Sequence, residues 1–288
     1  MKIIKAAKWA MLASLIALVS LSGGVYAITG NYQADSTPYV GVVVLFSDVD
    51  GTVPIGYCSG VLLSPTVMLT AGHSTLGAKV VSVCFDKGPI DYEIQDGKIV
   101  YPGSEVVYTG KPVTYNEYAY SLLEASNGNQ MYSTSDLGLI ILDTPVDEVG
   151  DFPKLPSVGF VDTISAKTNL KEVGYGLQFQ VTPKDNGLVN SWVGTLSCNE
   201  ATAEFVSGNF AGSDKYLRLT ANPSQGKGGV AFGDSGGPVL YGDGDSSIVL
   251  AVNAYVSNSN CAGVTYHTRI DTQQVLDLIN SYLNKEST

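Results

Sequence analysis

The chain has 288 residues, a formal net charge of −11 and a pI near 4.5, and only 15% of its residues are charged. The negative charge would repel a phosphate backbone, so nucleic acid is not expected as a partner. Glycine accounts for 32 residues, which argues against a coiled coil, a helical repeat or a disordered tail. The length suits one large all-β unit or two domains that each bury a core. The histidines and cysteines show no metal-ligand spacing, so we expect neither a zinc site nor a cofactor.

Residues 1–27 have the pattern of an export signal. Three lysines, Lys2, Lys5 and Lys8, precede an uncharged apolar run from Trp9 to Leu21. That run is too short to span the ~30 Å hydrocarbon core of a bilayer, and small residues at Val25-Tyr26-Ala27 suit a signal peptidase. We therefore predict cleavage after Ala27, a secreted (extracellular or periplasmic) protein and no later membrane association. An uncleaved anchor is the alternative.

The rest of the chain reads mainly as β-strands. Short apolar runs rich in β-branched residues recur between Gly, Pro, Asp and Asn, which is the pattern of strands and turns. Their regular spacing predicts a closed all-β architecture, either a barrel or a sandwich. The predicted strands cover residues 40–46, 60–63, 67–70, 79–85, 137–142, 171–175, 188–196, 216–220, 238–241 and 248–254.

Two segments depart from this pattern. Residues 271–285 carry apolar side chains at helical spacing, with Asp271 as the expected cap and Gln274 completing a capping box. Residues 143–153 are polar, contain two prolines and show no period. They are the best candidate for a linker between two halves.

The strongest local motif is Gly233-Asp234-Ser235-Gly236-Gly237-Pro238. A serine between glycines on a tight turn exposes its hydroxyl, and neighbouring N–H groups can then point at one spot. That arrangement stabilises the oxyanion formed when serine attacks a carbonyl. A plain glycine-rich turn is the alternative.

A nucleophilic serine needs a base and an orienting carboxylate. His73 follows an apolar strand, and the only other histidine, His267, lies in an alternating strand pattern. We therefore predict His73 as the base. Asp136 opens the apolar run 137–142 and Asp143 closes it. Asp136 is the better candidate, because Asp143 is followed by Thr-Pro, which is typical of an exposed turn.

These residues together resemble the trypsin/chymotrypsin family of serine endopeptidases, in a bacterial-type secreted form. The resemblance covers nearly all of residues 28–283 and is carried by Cys58-Ser59-Gly60-Val61-Leu62-Leu63-Ser64, Leu69-Thr70-Ala71-Gly72-His73, Asp136-Leu137-Gly138-Leu139-Ile140 and the Ser235 hexapeptide. It implies two six-stranded antiparallel β-barrels of the chymotrypsin type with a C-terminal α-helix. It also implies a division into an N-terminal barrel, 28–150, and a C-terminal barrel, 151–288.

The resemblance also implies a reaction. His73 would be the base, Asp136 its orienter and Ser235 the nucleophile, with the N–H groups of Gly233 and Ser235 as the oxyanion hole. The expected protein is a monomeric secreted endopeptidase acting on proteins or peptides through an acyl-enzyme. The alternatives are a catalytically silent binding protein built on the same shell, and an esterase with little peptide activity.

A family-like start implies a mode of activation. The predicted mature chain begins Ile28-Thr29-Gly30-Asn31, close to the Ile/Val-x-Gly-Gly of active family members. In those members the terminal ammonium pairs with the Asp before the nucleophile, which is Asp234 in this chain. Signal cleavage would then activate the enzyme directly. The alternative is that Ile28 merely begins a flexible arm.

The substrate pocket is expected to be apolar. Gly229 stands where trypsin-like members carry the acid that recognises Lys or Arg, so that specificity is not expected. Val256 would narrow the entrance and favour small or medium apolar side chains. An acidic preference through Lys227 or His267 is the alternative. The segment expected to wall the pocket is Ala254, Tyr255 and Val256.

The four cysteines allow three disulfide pairings. Many family members carry a cysteine where this chain has Ser74, and that cysteine pairs with the one at Cys58. Since Ser74 cannot pair, the resemblance suggests a bridge between Cys58 and Cys84 instead. Cys261 would then pair with Cys198. The alternative is that all four are small buried thiols.

Overall fold

The protein is described by a computed structural model that covers residues 28–91, 93–95, 98–100, 106–115, 135–181, 191–210 and 212–286. The predicted signal, residues 1–27, lies outside the described residues. The described residues of the first half form one helical turn, α1 (Gly72–Thr75), and ten strands. The strands are β1 (Thr29–Gly30), β2 (Tyr32–Ala34), β3 (Val40–Phe46), β4 (Pro54–Leu62), β5 (Val67–Thr70), β6 (Val80–Cys84), β7 (Glu93–Gln95), β8 (Lys98–Val100), β9 (Val107–Thr114) and β10 (Gly138–Leu142).

The described residues of the second half form nine strands and helix α2 (Gln273–Glu286). They also form three short 3₁₀ turns, Phe160–Thr163, Pro223–Gln225 and Gly244–Ser246. The strands are β11 (Asn169–Gly174), β12 (Phe179–Val181), β13 (Ser191–Val193), β14 (Asn199–Phe205), β15 (Tyr216–Ala221), β16 (Gly228–Gly229), β17 (Pro238–Tyr241), β18 (Ile248–Val256) and β19 (Gly263–Arg269).

Six strands of the first half close into an antiparallel barrel in the order β10-β5-β4-β3-β6-β9, with β9 pairing back to β10. All seven residues of β3 are buried, and four of them, Val42–Leu45, form an unbroken run of valine and leucine. Such a run is stable as a strand because both of its edges are paired and both of its faces are covered.

The second barrel is also six-stranded and antiparallel. Its order is β11-β17-β18-β19-β15-β14, and β14 pairs with β11 to close it. Strand β2 adds to β14 from outside through Asn199–Ala201. Two six-stranded barrels followed by a C-terminal helix confirm the predicted fold class.

The two ends of the chain depart from the predicted division at residue 150. Residues 28–34, assigned to the first barrel from the sequence, pair with the second one: β1 with Gly228–Gly229 and β2 with β14. Conversely, the apolar face of α2, with Val275 and Ile279, joins the core that the first barrel strands share. Residues 28–34 and helix α2 therefore each tie one barrel to the other.

Helix α2 begins later than its sequence pattern predicts. Thr272 provides the cap, because its Oγ1 accepts from the N–H of Val275 at 3.4 Å. Asp271 is fully buried instead, where it accepts from Arg269 and from the N–H of Val161. The predicted Asp271 cap is wrong because a buried arginine and a 3₁₀ turn compete for its carboxylate.

The predicted bridge between Cys58 and Cys84 is absent, and strand register explains why. Val43 pairs with Cys58 on one side of β3, and Val42 pairs with Cys84 on the other. Consecutive residues of a strand point to opposite faces, so the two thiols do as well. They also lie two strand spacings apart, about 10 Å, whereas a disulfide allows about 7 Å between Cα atoms. Cys58 Sγ contacts Thr70 Oγ1 at 3.4 Å instead.

The suggested bridge between Cys198 and Cys261 is absent too. Cys198 Sγ lies 3.8 Å from a carboxylate oxygen of Asp35, whereas Cys261 lies in the turn between β18 and β19. None of the four cysteines forms a disulfide in the structure, and all four are buried. Burial raises the pKa of Cys58 to about 11 and those of Cys198 and Cys261 to about 12, so these thiols stay protonated at neutral pH.

No helix within the described ranges is both long and apolar enough to cross a membrane.

Candidate active site

His73 and Asp136 meet at one end of the first barrel. His73 lies in α1, just after β5, and Asp136 lies just before β10, which pairs with β5. The main-chain N–H of His73 donates to Asp136 Oδ1 at 2.7 Å, and its ring Nδ1 lies 2.7 Å from Oδ2. Gly72 permits this approach, since a Cβ there would lie 2.7 Å from the carbonyl oxygen of Leu137. The two contacts fix the imidazole on the carboxylate.

The structure also separates the two candidate carboxylates. Asp136 is 4% exposed, and the hydroxyl of Thr268 in the second barrel donates to its main-chain oxygen at 2.9 Å. Asp143 lies at the opposite end of β10, where its carboxylate accepts from Thr109 Oγ1. Asp136 is therefore the carboxylate that the fold brings to His73.

Ser235 comes from the second barrel, on the turn between β16 and β17. Its Oγ lies 3.0 Å from Nε2 of His73. Two glycines of the turn, Gly233 and Gly236, have φ angles of 98° and 83°, which side chains rarely adopt. A Cβ on Gly236 would also lie 2.1 Å from Thr70 Oγ1. The glycines of the motif thus allow the backbone conformation of the turn and its close contact with the first barrel.

In two peptide units of this turn, a hydrogen bond to the carbonyl fixes the orientation of the unit and so the direction of its N–H group. In the Phe232–Gly233 unit the carbonyl accepts from Leu177 at 2.7 Å, and in the Asp234–Ser235 unit it accepts from Gly237 at 3.0 Å. The C=O and N–H of a planar trans peptide point in opposite directions. The N–H groups of Gly233 and Ser235 therefore point away from these partners, as an oxyanion hole requires.

The pKa of His73 is raised above its ordinary value of 6.5. Desolvation, the largest influence, opposes the charged imidazolium and lowers the pKa. The hydrogen bond and the negative charge of Asp136 act in the opposite direction and together prevail. The ring still opens to the cleft, with 37% of its side chain exposed. A histidine of this kind can take a proton from Ser235 and hold it.

Asp234 is wholly buried behind the nucleophile. Its carboxylate accepts from the N–H groups of Gly176 at 2.7 Å and Ala231 at 2.8 Å. Burial nevertheless dominates and raises the pKa of Asp234 to about 7, with the two N–H donors acting against it and Glu172 adding to the rise. A carboxyl group in this position favours a nearby cation.

A cleft of about 380 Å³ opens in front of His73 and Ser235. Its wall is mainly apolar, and Asp136, which is held by His73, is its one carboxylate among the described residues. The lining is His73, Asp136, Tyr216, Val230, Ala231, Phe232, Gly233, Ser235, Asn253, Ala254, Tyr255 and Val256.

Three of the four residues predicted for the pocket line this cleft: Ala254, Tyr255 and Val256. Gly229 does not. It is buried in β16, where it pairs with Thr29, and a Cβ there would lie 2.3 Å from the Cβ of Ala221. The N-terminal strand and β15 thus lie against Gly229, and its place in the substrate pocket stays a prediction.

The two residues considered for an acidic preference also lie outside the lining. Lys227 bonds to Asn169 Oδ1, and His267 is fully buried behind Asn253.

Several residues of the site have no counterpart in the sequence prediction. The N–H of Ser59 donates to the main-chain oxygen of Ser235 at 2.8 Å. The one sequence feature that could have identified Ser59 is its place in the Cys-Ser-Gly motif. Tyr216 reaches the cleft from β15, whereas Val230 and Phe232 reach it from the segment after β16, and no local pattern marks the three residues. Asn253 likewise reads as one polar residue inside an apolar strand.

Comparison with known proteins adds an independent result. The sequence model of the family described as Trypsin matches residues 29–279. The fold is similar to that of a solved structure titled HL collagenase, with a TM-score of 0.59 and 18% identity, over 92% of this chain and 99% of the other. No curated protein sequence matches the chain.

Removing the charge of Asp136 tests the pairing with His73. In Asp136→Asn we expect the pKa of His73 to fall below its wild-type value, because desolvation then acts without the opposing carboxylate. NMR titration of the two histidine side chains measures this directly. Asp143→Asn is the matched control and should leave the His73 titration unchanged. An unaltered pKa in Asp136→Asn would contradict the geometry.

Proposed function

Because the chain belongs to the trypsin family and is a serine-type endopeptidase, we propose that it cleaves peptide bonds through His73, Asp136 and Ser235. The observation that carries this assignment is the continuous contact from Asp136 Oδ2 to Nδ1 of His73 at 2.7 Å and from Nε2 to Ser235 Oγ at 3.0 Å. We propose protein or peptide substrates and a monomeric enzyme, as the family membership suggests.

Each group has one role in the proposed reaction. Ser235 Oγ attacks the substrate carbonyl while Nε2 of His73 takes its proton and then returns it to the leaving amine. Asp136 holds the imidazole in the tautomer whose Nδ1 carries hydrogen, and stabilises the imidazolium. The N–H groups of Gly233 and Ser235 donate to the oxyanion. Water then releases the acyl group from Ser235.

Replacing the nucleophile tests the assignment. Ser235→Ala should lower kcat on casein by at least about 10⁴-fold, because oxyanion donors and substrate binding alone leave little catalysis. Ser207→Ala, an exposed serine of the second barrel, is the control and should retain wild-type turnover. Wild-type activity in Ser235→Ala would refute the mechanism.

We further propose a preference for small or medium apolar side chains before the scissile bond. The apolar part of the cleft wall is formed by Val230, Ala254 and Val256, and Tyr216 and Tyr255 lie beside them. A lysine or arginine side chain would enter this wall without a counter-charge, since Asp136 is held by His73. Unpaired burial of a charge is costly, so charged side chains are rejected.

Peptide nitroanilides that differ only at this side chain test the preference. We expect kcat/KM for Ala, Val or Leu to exceed that for Lys or Glu at least about tenfold, which corresponds to ~1.4 kcal/mol. Val256→Gly should widen the entrance and raise the relative rate with Phe. Equal or faster cleavage after Lys or Glu would contradict the proposed pocket.

We also propose export through residues 1–27 and activation by cleavage after Ala27. Ile28 is wholly buried, and its φ of 61° is strained for a β-branched residue. Cleavage removes the preceding carbonyl whose clash with Cβ causes this strain. It also creates a terminal ammonium next to β1, which pairs with Gly228–Gly229. Ile28 packs in one cluster with Val230, on the segment that precedes Asp234. Asp234 is the buried carboxyl group that such an ammonium would neutralise.

Two chains that differ only in retaining Ala27 test this activation. With Ala27 retained, Asp234 has a folded pKa of about 7 against an ordinary 3.8, so stability should be lost as pH rises from about 4 through about 7. In the chain beginning at Ile28 the ammonium lowers the folded pKa, so that loss should disappear. Urea unfolding between pH 4 and 8 measures both.

Asp234→Asn in the chain that retains Ala27 is the control, and it should abolish the pH-dependent loss. Identical pH profiles for the two unsubstituted chains would overturn the proposed ion pair.

A further inference from the structure

A buried pair of ionisable groups lies inside the second barrel, outside the site described above. Glu172 of β11 and His267 of β19 have fully buried side chains, and Nε2 of His267 lies 3.0 Å from Glu172 Oε1. The hydroxyl of Thr265 lies 2.9 Å from the same nitrogen and 3.2 Å from the same oxygen. The second carboxylate oxygen, Oε2, has no hydrogen-bond partner among the described residues.

The hydrogen bonds of Asn253 define which ring atoms of His267 carry hydrogen. The amide Nδ2 of Asn253 donates to the main-chain oxygens of Val173 at 3.2 Å and Asp234 at 3.1 Å. Its Oδ1 must therefore be the atom that faces Nδ1 of His267, at 3.0 Å, and Nδ1 donates to it. On the other side of the ring, Nε2 faces Glu172 Oε1 at 3.0 Å, so contacts at both nitrogens hold the imidazole in place.

A pair of this kind is a poor way to stabilise a barrel. Replacing a buried ion pair with apolar residues of similar size is often neutral or stabilising, because the charges lose their hydration. The unsatisfied Oε2 adds to that cost. The contacts of Asn253 indicate a different role for the pair.

Asn253 forms hydrogen bonds to the turn that carries Ser235 with both its main chain and its side chain. Its N–H donates to the carbonyl of Gly237 at 2.8 Å, and its carbonyl accepts from Gly236 at 2.7 Å. Its side chain holds the carbonyl of the Asp234–Ser235 peptide unit, whose other side carries the N–H of Ser235. A rotation of the Asn253 amide would therefore release one of the two groups that aim this N–H.

We propose that Glu172 and His267 are positioning residues: they lock the Asn253 amide, which in turn aims the Ser235 N–H at the developing oxyanion. This inference rests on the proposed function and adds a second line of contacts to the one from Asp136 through His73. The groups act on Ser235 from opposite barrels. Asp136 and His73 set the proton transfer, while Glu172, His267 and Asn253 set the oxyanion donor.

Paired double variants test the inference without leaving a lone buried charge. Glu172→Gln/His267→Leu removes both ionisable groups and the donor to Asn253. We expect kcat to fall about 10- to 100-fold, somewhat less than on loss of a whole oxyanion donor, with KM within about threefold of wild type. Glu172→Gln/His267→Gln restores a donor to Asn253 and should recover kcat to within about threefold of wild type. The rate of labelling by a fluorophosphonate should follow kcat in both.

Controls separate this role from a general loss of stability. Leu170→Ala, in the core of the same barrel and away from the cleft, should lower the unfolding midpoint while leaving kcat unchanged. If Glu172→Gln/His267→Leu does not fold, Asn253→Asp takes its place: it keeps the acceptor for His267, loses the donor to Asp234 and should show the same loss of kcat.

A folded Glu172→Gln/His267→Leu variant with kcat within about twofold of wild type would overturn the inference, as would a loss of kcat that Glu172→Gln/His267→Gln fails to recover. A wild-type chain that no fluorophosphonate labels would instead contradict the proposed function itself. The two failures are therefore distinguishable.

Discussion

The seam between the two barrels is the constraint on which the site depends, because His73 and Ser235 come from opposite sides of it. Ser59 of the first barrel donates its N–H to the carbonyl of Ser235 and its hydroxyl to that of Gly233 at 3.0 Å. Its Oγ in turn accepts from the N–H of Tyr175 at 2.9 Å. From the other side, Thr268 holds the main chain of Asp136. These few cross-barrel contacts set the distance between base and nucleophile, so catalysis requires both barrels to be docked.

The same seam explains the positions of the chain ends and of the buried charges. The N-terminal strands lie on the second barrel and the terminal helix packs into the core of the first, so each end adds to the docking. Behind the nucleophile, Asp234 and the Glu172–His267 pair place ionisable groups where water is excluded. The Asp234 carboxylate accepts from the N–H groups of Gly176 and Ala231. The Glu172–His267 pair reaches the Asp234–Ser235 peptide unit through the side chain of Asn253.

The sequence predicted the parts of the molecule that depend on local chemistry. Val40–Phe46 and Ile248–Val256 are strands because their apolar β-branched runs suit a doubly covered sheet. His73, Asp136 and Ser235 were identifiable because each follows or precedes such a run. The fold and family predictions are confirmed. Other features depend on partners distant in sequence. Asn199–Phe205 is rich in Ala and Glu, and Val107–Thr114 contains Gly and Pro, so tertiary pairing overrides a weak local preference in both. The cysteine positions follow from strand register, which spacing along the chain does not reveal.

Labelling of the chain that begins at Ile28 with a fluorophosphonate, followed by intact-mass measurement and peptide mapping, tests the central claim most directly. The geometry between His73 Nε2 and Ser235 Oγ predicts one adduct per chain, located on Ser235, and none in a His73→Ala chain. A folded chain that takes up no adduct, or takes it up at another residue, would contradict the assignment of Ser235 as the activated nucleophile.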